Sequence, residues 1–139
     1  MTVYLVDTDV ISEARKGERA NAGVRTFFRS ASRAGTPLFL SAITIGELRQ
    51  GTEIIRHRGD KPQALRLEHW LDRVTSDYAD AILPFYEETA QVWGRLRVPN
   101  PENPLDKRIA ATALIYDLIV VTRNSGHYEP TGVRVVNPF

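Results

Sequence analysis

The sequence predicts an α/β fold built on a mainly parallel sheet of four to five short strands, and three observations carry that prediction. Apolar runs of three or four residues recur along the chain, separated by longer stretches with helical periodicity. The runs are apolar throughout instead of alternating, as strands covered on both faces are. Length and composition agree with this: 139 residues with 42% hydrophobic content suit one compact domain, residues 1–139, with a real core.

Val3 to Val6 is the first run, and it stops abruptly at Asp7 and Asp9. Open α/β folds place their sites at the carboxyl ends of strands, so Asp7 is the first candidate for chemistry. Asp7, Thr8 and Asp9 also suit the cap of a short helix over Val10 to Ala14, and both roles stay open. Gly17 to Arg19 reads as a charged turn. Asn21 to Ala34 then reads as a helix, with Val24, Phe27, Phe28 and Ala31 on one face and Arg25, Arg29 and Arg33 in a row opposite. Gly35, Thr36 and Pro37 end it.

Leu38 to Leu40 is the second strand, followed by Ser41 and a helix over Ile43 to Arg58 in which Glu47 lies among Ile45, Leu48, Ile54 and Ile55. Gly59 to Pro62 breaks the pattern and starts another helix striped by Leu67, Trp70, Leu71 and Val74, so the two helices form a protruding hairpin. Ala81 to Leu83 is the third strand, leading through Pro84 to a helix with Tyr86, Ala90, Trp93 and Leu96 on one side. Pro99 to Pro104 is extended, because residues before proline are pushed from helical angles. Leu105 to Tyr116 is the clearest helix. Leu118 to Val121 is the fourth strand, ending at Thr122-Arg123-Asn124; Gly126 to Gly132 reads as loop and Val133 to Val136 as the fifth strand.

Cysteine is absent, which excludes disulfides, thiolate zinc sites and a cysteine nucleophile. No window approaches the roughly 20 apolar residues of a membrane span, and the chain opens into a strand without a signal peptide's pattern, so a cytoplasmic protein is expected. The net charge is only +1, yet 15 of the 18 cations are arginine, whose planar fork suits phosphate. With three acids withdrawn into a metal pocket, the remaining surface would carry about +4 and favour a polyanion modestly.

Asp7 ends the first strand, Glu47 lies early in the helix after the second, and Asp106 lies in the first turn of the helix before the fourth. Right-handed crossovers put helix starts that follow strands on the carboxyl edge, so Asp7 and Glu47 can meet there. Asp106 follows a loop from a helix and needs the proline-rich stretch to carry it back over the sheet. Thr44-x-x-Glu47 and Asn103-x-x-Asp106 also fit a capping-box spacing. The apolar neighbours of both acids argue otherwise, because buried carboxylates are costly alone and are stabilised around a divalent cation. Oxygen-only ligands select magnesium or manganese over zinc, and His57, His69 and His127 show no zinc spacing.

Four motifs in order, Tyr4-Leu-Val-Asp7-Thr-Asp9-Val-Ile-Ser-Glu13, Leu40-Ser-Ala-Ile-Thr-Ile-Gly-Glu47-Leu-Arg-Gln-Gly51, Asp106-Lys-Arg-Ile-Ala-Ala-Thr-Ala113 and Val121-Thr-Arg-Asn124, with a closing Val136-Asn-Pro-Phe139, resemble a PIN-domain protein of the VapC-like (FitB-type) toxin group. The resemblance spans essentially the whole chain. It implies a three-layer sandwich with helices on both sides of the sheet and an endoribonuclease dependent on Mg2+ or Mn2+. It further implies a homodimer inhibited by a small antitoxin, in a complex that binds operator DNA through that antitoxin. Its catalytic and metal-binding acids fall on Asp7, Glu47 and Asp106, with Asn124 and Asp9 as further oxygen donors. Its fourth acid falls at Asn124 or His127, neither of which is a carboxylate here, and Asp9 stands where asparagine is more usual.

In such an enzyme Arg123, Arg15, Lys107 and Thr122 are candidate substrate contacts. Two alternatives accompany this expectation. One is a PIN-fold module that binds RNA or antitoxin with little turnover, suggested by the missing acid. The other is a phosphatase of the haloacid dehalogenase type with Asp7 as nucleophile, suggested by Asp7-Thr-Asp9-Val10 and weakened by a fourth strand that ends without acids.

Overall fold

The computed structural model describes residues 2–139 and contains five strands, all parallel to their neighbours, in the order β3-β2-β1-β4-β5. The strands are β1 (Tyr4–Val6), β2 (Leu38–Ser41), β3 (Ile82–Leu83), β4 (Ile119–Val121) and β5 (Val135–Val136). The helices are α1 (Thr8–Ala14), α2 (Ala22–Ala34), α3 (Ala42–His57), α4 (Lys61–Asp77), α5 (Glu87–Leu96), α6 (Pro104–Tyr116) and α7 (Ser125–Tyr128). Register pairs Leu5 with Phe39 and with Val120, so side chains of one parity share a face across three strands.

That alternation builds two cores. Leu5 and Val120 bury against Ile109, Ala110 and Ala113 of α6 and against Leu118 and Tyr128. Val6, Leu40 and Val121 bury on the other face against Val10 and Ile11 of α1, Val24 of α2 and Val74 of α4. The result is the expected sheet with helices on both sides. Alanines at 110, 111 and 113, all buried, let α6 approach the sheet closely. Trp70, Phe27 and Phe28 pack against the second core, so most of their apolar surface serves the fold.

The helix hairpin forms as expected, turning at Gly59 with φ of 94°, a left-handed conformation that glycine adopts without strain. Glu68 of α4 ties it to α3, accepting from Arg49 at 2.7 Å and Arg56 at 3.0 Å. Among the described residues no helix is long and apolar enough to cross a membrane.

Three expectations need correction. The segment read as loop over Gly126–Gly132 contains α7 and a 3-10 turn over Glu129–Thr131, because Pro130 sits in that turn's opening, where its missing N–H costs nothing. The fifth strand is shorter than read, starting at Val135. The first helix starts at Thr8 instead of Val10, because Asp7 caps it.

Candidate functional site at the carboxyl edge

β1 is the central strand and the point where the chain's crossovers reverse direction, the place where such sheets open a crevice. Asp7 stands there. Its Oδ1 accepts from Thr8 N at 2.7 Å, while Oδ2 accepts from Thr122 Oγ1 at 2.9 Å and from the Tyr128 phenol at 2.7 Å. Asp7 is 3% exposed, and burial pushes its carboxyl up to about 6 despite those donors, with Asp9 adding to the rise. Burial and the Asp7 charge drive the Tyr128 phenol far upward, so it serves only as a donor.

Glu47 reaches the same edge from α3. Ser41 caps that helix through Ile43 N at 3.0 Å, so Thr44 and Glu47 form no capping box. Glu47 Oε1 instead accepts from Thr8 Oγ1 at 2.7 Å, which links α3 to the turn after β1. Burial raises its carboxyl, opposed by the Thr8 bond and reinforced by the charges of Asp106 and Asp9.

Asp106 arrives from α6. Asn103 precedes that helix at φ of 53° and makes no side-chain cap, so the second capping pair is also absent. Asp106 Oδ2 is hydrogen-bonded to His127 Nδ1 at 2.6 Å, which anchors α6 to α7. Asp9 adds a fourth acid: its Oδ2 accepts from Arg123 N at 3.0 Å and Asn124 Nδ2 at 3.3 Å, and its Oδ1 is buried without a hydrogen-bond partner. Burial and the Asp106 charge raise Asp9 as well, against the backbone donors.

The four carboxylates thus share one edge and one electrostatic field. Among the described residues no group of three His, Asp or Glu side chains stands ready to hold an ion. The donor chemistry nevertheless fits a hard divalent cation. The donors are all oxygen, their charges oppose one another, and a buried Asp9 oxygen is left over. Glu47 and Asp106 are both partly exposed.

Two candidate substrate contacts are corrected. Lys107 is 2% exposed, and its ammonium donates to Asn100 O and lies 3.9 Å from Glu102 Oε2. It ties the proline-rich stretch to α6 and faces no substrate. Thr122 is fully buried, with its hydroxyl spent on Asp7 and on Asn124 N, so it holds the site from behind. Arg15 is exposed and shares a cleft of about 240 Å³ with Thr8, Ser12, Glu47 and Trp70. Arg123 is exposed, its guanidinium stacked 4.3 Å from the Phe139 ring centre while its backbone N–H serves Asp9.

Sequence reasoning missed Thr8 as the bridge to Glu47, Tyr128 as the donor to Asp7 and His127 as the partner of Asp106. Only Thr8, flanked by the two aspartates, carried a local signal.

The chain is similar to known proteins along nearly its whole length. Toxin FitB from Neisseria gonorrhoeae is 32% identical with 99% of both chains covered, and Plasmid stability protein StbB from Pseudomonas syringae pv. tomato is 32% identical with the same coverage. The crystal structure of FitAcB from Neisseria gonorrhoeae superposes with a TM-score of 0.83 at 30% identity, covering 98% of each chain. The structure of FitAB bound to an IR36 DNA fragment does so at 0.69 and 28% identity, covering 98% of this chain and 95% of that one. With residues 4–132 matching the PIN domain and relatives aligned along nearly its whole length, this chain belongs to the PIN-domain family.

Proposed function

We propose that this single-domain chain is an endoribonuclease dependent on Mg2+ or Mn2+ and acts as the toxin of a toxin–antitoxin pair. The observation that carries the proposal is the gathering of Asp7, Asp9, Glu47 and Asp106 at the carboxyl edge with one buried Asp9 oxygen unpartnered. A divalent cation bound there would supply Lewis-acid neutralisation of charge on the scissile phosphate and leaving oxygen. The chain's own part is positional. Thr8, Thr122 and Tyr128 orient Asp7 and Glu47, and His127 orients Asp106. Asp7, Glu47 and Asp106 would be the ligands, with Asp9 and Asn124 contributing further oxygen.

The relatives support the biological setting. Toxin FitB and VapC ribonuclease Y4jK bear these activities in their names, and the FitAB structure holds DNA. By that likeness the partners are a small antitoxin, RNA as substrate, a second copy of this chain, and operator DNA reached through the antitoxin, all in the cytoplasm. The family assignment removes the phosphatase reading.

Purified protein should cleave single-stranded RNA with Mg2+ or Mn2+ and stop in EDTA. Asp106→Asn should lower the rate by at least about 100-fold without changing the melting temperature, the loss typical of removing one stabilising group at a reacting phosphate or carbonyl. Full activity in that variant would remove Asp106 from the site. Asn124 and His127, one of which stands where the family's fourth acid falls, favour a second reading, a binding module with little turnover. Metal binding with no cleavage would decide for it.

A further inference from the structure

The segment from Arg15 to Arg33 carries six cationic side chains, Arg15, Lys16, Arg19, Arg25, Arg29 and Arg33, against the single acid Glu18. It therefore holds a local charge of +5 in a chain whose total is +1, which leaves the remainder at −4. Among the described residues only Lys16 of the six is ion-paired, to Glu13 at 2.9 Å. The other five are exposed arginines. So strong a separation of charge creates a field that a polyanion feels before contact.

With Ala14, the same segment lines an open groove of about 640 Å³. Ala14 and Gly17 form one wall, Arg25, Phe28 and Arg29 of α2 the other, and Glu18 is its one acid. Phe28 is half-buried: its ring leans edge-on against Phe27 at 5.4 Å between centres and packs on the second core, and its remaining surface lines the groove. An aromatic ring sharing a groove wall with an arginine three residues before it and another one residue after it is what single-stranded nucleic acid uses, since bases stack on the ring and phosphates meet the cations.

The groove and the acid edge lie at opposite ends of the short helix α1. α1 carries Asp9 in its first turn and Ala14 at its end, a rise of about 8 Å between them. The start of α2 is pinned beside it by Asn21 N donating to Glu13 Oε2 at 2.9 Å. Gly23 lies so close to Pro138 O that no Cβ fits, which holds the chain end, with Arg123 stacked on Phe139, beside the start of α2. An acid cluster repels RNA, so an adjoining basic groove supplies the attraction the site itself lacks.

We propose that the groove between the end of α1 and α2 binds single-stranded RNA, with Arg25 and Arg29 on the backbone and Phe28 stacked on a base. This rests on the ribonuclease reading only for its biological purpose; the binding itself is separately measurable. Fluorescence anisotropy with a labelled single-stranded RNA oligonucleotide in EDTA reads it without turnover. Arg25→Gln with Arg29→Gln should weaken binding about tenfold near 0.1 M salt and flatten the slope of log affinity against log salt by about 1.4, from two lost phosphate contacts. Phe28→Leu, which keeps the core apolar, should weaken binding about fivefold or more with little change in that slope.

Both variants should melt cooperatively near the wild-type temperature, and a Phe28 variant that does not fold leaves the arginine pair as the deciding measurement. Unchanged affinity and slope in the folded arginine variant overturns the proposal. Displacement of RNA by poly-L-glutamate at equal charge also overturns it, in favour of an acidic polypeptide partner. Arginine-dependent binding without metal-dependent cleavage would keep the groove and reject the nuclease. Cleavage with binding indifferent to Arg25 and Arg29 would do the reverse.

Discussion

Asp7→Asn should make the metal-free protein more stable at neutral pH while abolishing metal-dependent cleavage. Burial raises the Asp7 carboxyl from 3.8 to about 6, so the folded state holds the proton more tightly than the unfolded chain does. Stability therefore falls as pH climbs between those values, and the full cost of the buried charge stands above them. A rise of about two units at about 1.4 kcal/mol each puts that cost near 3 kcal/mol at pH 7.5, and about 1 kcal/mol at pH 4.5. Asparagine avoids it but loses part of the cap on Thr8 N, about 1 kcal/mol.

The net gain is about 2 kcal/mol at pH 7.5 and close to zero at pH 4.5. With an unfolding entropy of roughly 2.1 cal/mol/K per residue, 139 residues turn that gain into about 7 °C. Calorimetric melts of both proteins in EDTA at the two pH values test this. A variant that melts below the wild type by the same margin at both would refute it, because the three donors would then have compensated the burial of Asp7 in full.

Two further outcomes follow from the site's supports. Lys107→Met keeps the buried stem but leaves Asn100 O without its donor, so urea unfolding should show a loss of about 1–3 kcal/mol with RNA affinity unchanged. Weakened RNA binding at an unchanged midpoint would return Lys107 to the substrate. Tyr128→Phe removes one donor from Asp7 without disturbing the ring's packing, and should weaken Mn2+ binding about tenfold, read directly by electron paramagnetic resonance. Equal Mn2+ affinity in the two proteins would show that Thr122 and Thr8 orient Asp7 unaided.

The strands and most helices were legible because each is signalled locally. Val3 to Val6 and Leu118 to Val121 are apolar throughout, and α2 repeats Val24, Phe27, Phe28 and Ala31 at helical spacing. As candidates, Asp7, Glu47 and Asp106 stood out for a related reason: they interrupt apolar surroundings where a charge costs most. The region after β4 was not, since Gly126 and Pro130 read as breakers and only packing of Tyr128 into the α6 core makes a helix there. The proposed role of Asp7 and its cap of α1 also proved compatible, because its two oxygens serve different donors.

By itself the sequence determined the layer architecture and named the acids, since hydrophobic periodicity and the cost of burying charge act along the chain. Tertiary structure alone decided what surrounds those acids. Tyr128 and Asp7 are 121 residues apart and meet only because β4 pairs with β1. Lys107, one residue from Asp106, is turned inward to the proline-rich stretch and lost to the substrate. A side chain's neighbours across a sheet depend on strand order and register, and neither is written in any local window.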